Sequence, residues 1–81
     1  MEMDMGRVPG MAAAERRLAR LGVEYVDLTH CDHGYGCEAV AAVGRARRRF
    51  RVHASPSPLA AVEQLADAVE HARRRARTRR R

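Results

Sequence analysis

Large apolar side chains are scarce in this chain, and their scarcity limits the size of any hydrophobic core. The 81 residues contain eight Val, five Leu, four Met, two Tyr and one Phe, while fifteen Ala supply most of the remaining apolar groups. A chain of this length buries only about 60% of the surface that it exposes when unfolded. The sequence therefore predicts one small domain with a thin core, in which homodimer formation would add stability.

The first regular element is predicted to be a helix at about 11–21. Residues 1–10 contain two Gly and one Pro and show no periodicity, so we expect a disordered leader there. From residue 11, apolar side chains recur on one face of a helix, at Met11, Ala14, Leu18 and Leu21. Gly22 follows directly, where a residue in the left-handed conformation commonly ends a helix.

Three strands are predicted in the middle of the chain. Residues 23–31 are rich in β-branched and aromatic side chains. A third strand would begin at Ala46, and within it Phe50, Val52 and Ala54 alternate with Arg49, Arg51 and His53. Residues 37–43 form a weaker strand because Ala is a poor strand former. Residues 32–36 read as a five-residue loop with two Gly, whereas Gly44-Arg45 suits a tight two-residue turn.

The two-residue turn also predicts the strand register and the two faces of the sheet. Val43 would face Ala46, and Glu38 would face Arg51. The buried face would then carry Cys37, Ala39, Ala41, Val43, Phe50 and Val52. The solvent face would carry Glu38, Val40, Ala42, Arg47, Arg49, Arg51 and His53.

A second helix is predicted to begin at Pro58, with Ser57 as its N-cap. Its apolar stripe consists of Leu59, Val62, Leu65, Ala66, Val69 and Ala72. Because Arg73 falls back on this stripe, we expect packing to stop near Ala72. The predicted fold is α+β, a single domain at 11–72 with the order α-β-β-β-α, a three-stranded antiparallel sheet and both helices on one sheet face.

This element order resembles that of the double-stranded-RNA-binding domain family, and the last four elements resemble the arm-binding domain of tyrosine integrases. In the double-stranded-RNA-binding family, the last helix begins with a Lys-rich segment, where this chain has Ser57-Pro58-Leu59-Ala60-Ala61. Its first loop has a Gly-Pro-x-His element, where this chain has Asp32-His33-Gly34-Tyr35. The resemblance therefore implies topology alone, and topology does not determine function.

The residues between the first two strands are the densest group of chemically versatile side chains. Cys31, His33 and Cys37, with His30 or His53, have the ligand types of a zinc site, although their spacing fits no standard pattern. A Cys31–Cys37 disulfide is a second interpretation, and a polar hairpin with two reduced thiols is a third. We expect the polar hairpin with two reduced thiols, and no metal and no cofactor.

Catalytic motifs are absent from the sequence. It contains no GxSxG, P-loop or HExxH pattern, and turn and cap roles account for Ser55 and Ser57. His30, Asp32, His33 and Glu38 could act as general acid and base on RNA, but such loop histidines are usually only solvated. We expect no catalytic residues and no enzyme.

The basic charge is concentrated at the end of the chain. Seven of the last nine residues are Arg, and removing their charge from the formal +6 leaves −1 for residues 1–72. These arginines are Arg73, Arg74, Arg75, Arg77, Arg79, Arg80 and Arg81. A basic arm at 73–81 on a nearly neutral body is typical of proteins that bind nucleic-acid phosphates. A solvated tail and an acidic protein partner are the other interpretations.

A second candidate phosphate-binding surface is the solvent face of the third strand. Arg47, Arg49 and Arg51 recur at every second position and so project from one face, although charge on an exposed strand also serves solubility. The sequence thus predicts a small, cytoplasmic, non-enzymatic protein that binds DNA or RNA duplexes and no membrane. The alternative is a protein-interaction module, such as an inhibitor or antitoxin-like partner, that uses the Ala-rich last helix or a sheet edge.

Overall fold

The computed structural model describes residues 10–79, and these form a helix, a three-stranded sheet and a second helix. The elements are α1 (Met11–Arg20), β1 (Glu24–Cys31), β2 (Gly34–Val43), β3 (Ala46–Ser55) and α2 (Pro58–Arg79). The predicted α+β fold, with its α-β-β-β-α order, is confirmed. Apart from Gly10, the predicted leader at 1–10 lies outside the described residues.

The sheet is antiparallel, with the strand order β1-β2-β3. Gly44 has a φ of +62° in the turn that joins β2 to β3, which a Gly adopts without the Cβ clash of other residues. The predicted register is confirmed by the pairs Val43–Ala46, Val40–Arg49, Ala39–Phe50 and Glu38–Arg51. A single correctly identified two-residue turn therefore fixes which side chains of β2 and β3 face the core.

The loop predicted at 32–36 is wrong, because β1 and β2 are joined by a two-residue turn at Asp32-His33. Gly34 and Gly36 belong to β2 instead. A Cβ on Gly34 would lie 2.6 Å from the backbone oxygen of Ser55, and the φ of Gly34 is +126°. Gly34 is thus required by the close approach of β3, a contact that is distant in sequence.

The helix ends carry the capping interactions that their sequences predict. At the end of α1, the N–H of Gly22 donates to the oxygen of Ala19, and the N–H of Val23 donates to that of Leu18, each at 3.0 Å. These two bonds make a Schellman motif, with Gly22 in the left-handed region at φ +69°. At the start of α2, the Ser57 hydroxyl accepts from the N–H of Ala60 at 3.0 Å, which confirms the predicted N-cap.

The core lies between the sheet and α2, and α1 packs chiefly against α2. Its buried apolar residues are Met11, Ala14, Leu18, Cys37, Ala39, Ala41, Val43, Phe50, Ala61, Val62, Leu65, Ala66 and Val69. The predicted buried face of β2 and β3 is therefore confirmed, with Val52 half-buried at its margin. On the other face, Glu38 and Val40 are half-buried, and Ala42, Arg47, Arg49, Arg51 and His53 are exposed.

The last helix continues past the point at which its packing was expected to stop. Ala76 is half-buried against the core, and Arg73 is half-buried beside β2. Helical structure extends to Arg79, so the basic residues 73–79 lie on a folded helix. The expected end of packing at Ala72 is therefore wrong by about one helical turn. The division of the chain into a domain at 11–72 and an Arg-rich tail at 73–81 stays a prediction.

An ion-pair cluster between the two helices makes the stability of the fold depend on pH. The guanidinium of Arg17 donates to Asp67 Oδ1 and Glu70 Oε1, both at 2.7 Å. The bond from Arg17 holds the pKa of Glu70 below its usual value. A carboxyl with a depressed pKa stabilises the fold above its unfolded-state pKa, and this contribution is lost as the pH falls through the folded-state value.

We expect Arg17→Gln to lower the melting temperature at pH 7 and to have a smaller effect as the pH falls toward 3, because Glu70 becomes protonated. Arg16→Gln is the matched control, because Arg16 is exposed and forms no ion pair within residues 10–79. Melting curves of both variants from pH 7 to pH 3 test this. A deficit for Arg17→Gln that persists undiminished at pH 3 would contradict an electrostatic role for the cluster.

Candidate nucleic-acid interface

Exposed arginines gather where the end of α2 meets the sheet. Arg74, Arg75 and Arg77 are exposed, and none of them forms an ion pair with a carboxylate of residues 10–79. Arg75 lines a groove together with Arg48 of β3. Arg77 lines a neighbouring depression with Gly44, the residue before Arg45. We call the five exposed arginines of this region the basic end: Arg45, Arg48, Arg74, Arg75 and Arg77.

The groove between β3 and α2 has an apolar floor and a cationic rim. Its floor is formed by Val43, Phe50, Ala68, Ala72 and Ala76. Arg48, His71 and Arg75 line its rim, and the guanidinium carbon of Arg48 lies 5.2 Å from the centre of the Phe50 ring. This distance allows a cation–π contact, which holds the Arg48 side chain against the groove.

Arg73 has a structural role that distinguishes it from the other arginines of the last helix. Its Nε–H donates to the backbone oxygen of Ala42 at 3.0 Å. The first residue of β1, Glu24, pairs with Val40, so β1 begins too late to pair with Ala42. Arg73 supplies the donor that a longer β1 would have given. The sequence indicated only that Arg73 lies on the apolar stripe.

The arginines of the sheet face occupy the predicted solvent face, but nearby carboxylates offset part of their charge. Arg47 contacts Glu24 at 2.9 Å, and Arg49 and Arg51 each contact Glu38 at 3.3 Å. The three side chains remain 54–68% exposed, so these are surface ion pairs. The Glu38–Arg51 pair follows from the predicted register, whereas sequence reasoning missed Glu24. This face therefore presents much less net positive charge than its three arginines suggest.

The remaining predicted residues of the charged tail are only partly described. Arg79 is the last residue of α2, and Arg80 and Arg81 lie outside the described residues. A helix of 22 residues is about 33 Å long, and residues 73–79 form its final two turns. The backbone of these turns therefore continues the direction set by the packed part of the helix.

The cysteines and histidines of the β1–β2 hairpin are not arranged as a metal site. Within residues 10–79, no group of three His, Cys, Asp or Glu side chains is placed to hold a metal ion. Cys31 is exposed and Cys37 is buried, and both thiols are free. Burial raises the pKa of the Cys37 thiol, which favours its protonated and unreactive form. The His30 and Tyr35 rings stack at 4.3 Å.

We expect folding to be independent of zinc, because one candidate ligand is a protonated thiol in the core. A chelator should leave the melting temperature unchanged, and added zinc should not raise it. Differential scanning calorimetry with and without chelator measures both effects. A fall of several degrees on chelation would show that a metal stabilises the hairpin.

Comparison of the chain with models of known protein families, with curated proteins and with solved structures finds no match. Among residues 10–79, neither helix is both long and apolar enough to span a membrane. The function must therefore be inferred from the charge and geometry of the chain itself.

Proposed function

We propose that this protein is a small, non-enzymatic nucleic-acid-binding protein that contacts the phosphate backbone through its basic end. The observation that carries this proposal is the exposed cluster of Arg74, Arg75 and Arg77, which has no ion-pair partner among residues 10–79. Arg45 and Arg48 extend the same surface. Guanidinium groups suit this role because their donors match two phosphate oxygens at once.

The spacing of these charges fits a polyanion better than a single carboxylate. Arg74 and Arg77 are separated by about 4.5 Å along the helix axis, and charges within about 10 Å act together at 0.1 M salt. Duplex DNA carries one negative charge per about 1.7 Å of its axis. A duplex can therefore give each arginine of the basic end its own phosphate, whereas an isolated carboxylate satisfies only one or two.

The sheet-face arginines make a smaller contribution in this proposal. Arg47, Arg49 and Arg51 already have carboxylate partners, so a phosphate must compete with Glu24 and Glu38 for them. Release of an exposed ion pair costs little, but the carboxylate that remains repels the incoming phosphate. We infer that the basic end provides most of the affinity.

The distribution of aromatic side chains favours a duplex over a single strand. Phe50 is buried, Tyr35 is half-buried and stacked on His30, and Tyr25 is exposed. Proteins that bind single strands stack successive bases on several exposed aromatic rings. One exposed ring does not provide such a platform, so phosphate contacts to a duplex are the better fit.

A protein-interaction module is the second candidate function. The apolar face of α2 is packed into the core, so that face is not free to bind a partner. The sheet edges are open, because β1 and β3 each pair with one strand of the described chain. An acidic protein surface could then meet the arginines of β3.

The test is a titration of binding against salt with duplex DNA, duplex RNA and polyglutamate as ligands. Each neutralised phosphate contributes about −0.9 to the slope of log affinity against log salt for B-DNA, so five arginines predict a slope of about −3 to −5. We expect both duplexes to bind more tightly than polyglutamate of equal charge. Stronger binding to polyglutamate would favour the acidic protein partner, and a flat slope would contradict both candidates.

A further inference from the structure

The first strand of the sheet is an edge that its own molecule leaves largely uncovered. Seven of the eight residues of β1 are exposed, and Leu28 is half-buried. Tyr25 and Val26 are 76% and 46% exposed, and within residues 10–79 they are the exposed large apolar residues. A strand with only one half-buried side chain gains little of the burial that normally stabilises a sheet.

The same strand is acidic, and one of its carboxylates is unfavourably placed. Glu24 and Asp27 are the charged residues of β1, and no arginine lies in it. Asp27 sits directly opposite Glu38 in the β1–β2 register. Like charges opposite each other destabilise a strand pair. Asp27 makes no ion pair with any residue in the described part of the chain.

The opposite edge of the sheet has the complementary character. β3 and the turn before it contain five arginines and no acidic residue: Arg45, Arg47, Arg48, Arg49 and Arg51. Glu38 is shared between two of these arginines, so their charge exceeds that of the nearby carboxylates. The groove beside β3 adds an apolar floor that includes Val43 and Phe50.

We propose that the free edge of β1 pairs with the free edge of β3 in a second copy of this chain. The pairing continues the sheet from one copy to the next, brings Asp27 beside arginines, and places Tyr25 and Val26 near the apolar groove. The register of β1 is regular from Asp27 to Cys31 and shifts between Glu24 and Asp27, where Tyr25 has a φ of +58°. In this proposal the pairing with the second copy therefore involves about residues 27–31.

Charge selects this head-to-tail arrangement over a symmetric one. Two β1 edges would bring Asp27 close to its own copy, and two β3 edges would bring the arginine rows together, so both are opposed by repulsion. A head-to-tail interface leaves one edge free at each end. It closes into a ring or continues as an open chain, according to the rotation between copies.

The experiment is sedimentation velocity of the free protein over a range of concentrations, without nucleic acid, so its outcome is independent of the proposed function. Val26→Arg blocks the β1 edge and Arg48→Glu blocks the β3 edge. Ala12→Arg and Arg16→Glu change the charge in the same way on the exposed side of α1 and serve as controls. Circular dichroism confirms that each variant folds.

We expect the wild type and both controls to associate with rising concentration, and less so at high salt. Each edge variant alone should associate at least about tenfold more weakly. A 1:1 mixture of the two edge variants should associate again, because one intact β1 edge meets one intact β3 edge. A wild type that stays monomeric at all concentrations would overturn the proposal. So would a mixture that remains monomeric, or an edge variant that still associates as strongly as the wild type.

Discussion

Replacement of Arg74, Arg75 and Arg77 together by Gln is expected to lower the affinity for duplex DNA by about 10²-fold or more at 0.1 M salt. Each lost phosphate contact removes about 0.9 from the salt slope, so the slope should become shallower by about 3. The wild type and the variant are expected to bind similarly at 1 M salt. Because their slopes differ by about 3, their affinities then diverge over the tenfold decrease in salt from 1 M to 0.1 M. Fluorescence anisotropy with a labelled duplex at four or more salt concentrations measures both quantities.

The fold should tolerate this triple substitution. The three side chains are exposed, and Gln has a helix propensity close to that of Arg. The lost interaction of each charge with the carboxyl end of the helix costs about 0.3–1 kcal/mol at most. An unchanged salt slope in a variant with a native circular dichroism spectrum would show that the basic end does not bind phosphate.

Leu65→Ala is expected to destabilise the fold by about 2–5 kcal/mol, the largest effect of any single apolar truncation in α2. Leu65 is 0% exposed and packs at the centre of the helix face that covers the sheet. The remaining core is rich in Ala, which cannot move far enough to fill the cavity. Since small domains have a total stability of about 5–15 kcal/mol, we expect a measurable fraction of the variant to be unfolded at 37 °C.

Leu59→Ala is the matched control for this prediction. The same atoms are removed from the same helix, but Leu59 is half-buried near its N-terminus, beside Gly10. Urea unfolding should show a shift in midpoint several times larger for Leu65→Ala than for Leu59→Ala. Equal shifts would mean that the core is not centred where α2 crosses the sheet.

Much of the fold could be predicted because local signals agree with the long-range contacts. Gly44-Arg45 specifies a two-residue turn, and the alternation around Phe50 then fixes both faces of β2 and β3. Ser57-Pro58 specifies the start of α2 in the same local way. The prediction of a loop before β2 is wrong because Gly34 is required by the close approach of the Ser55 backbone, not by a turn. Ser55 approaches Gly34 only in the folded sheet, so the sequence near Gly34 does not indicate this contact.

The candidate site was only partly predictable, because its charge balance depends on tertiary contacts. The solvent-facing position of Arg47 follows from strand alternation. Its partner Glu24 does not, since the bulge in β1 shifts the register between Glu24 and Asp27. Arg73 bonds to Ala42 because β1 is short, a feature that no sequence pattern near Arg73 indicates. The face on which an arginine lies is thus easier to predict from sequence than the group with which it pairs.

The most direct test compares two triple variants in one salt titration with duplex DNA. One variant carries Gln at Arg74, Arg75 and Arg77, and the other carries Gln at Arg47, Arg49 and Arg51, so both lose three positive charges. We predict that the slope becomes shallower by about 3 for the first variant and by less than about 1 for the second. Equal changes would indicate general attraction by net charge, and a larger change for the second variant would assign binding to the sheet face.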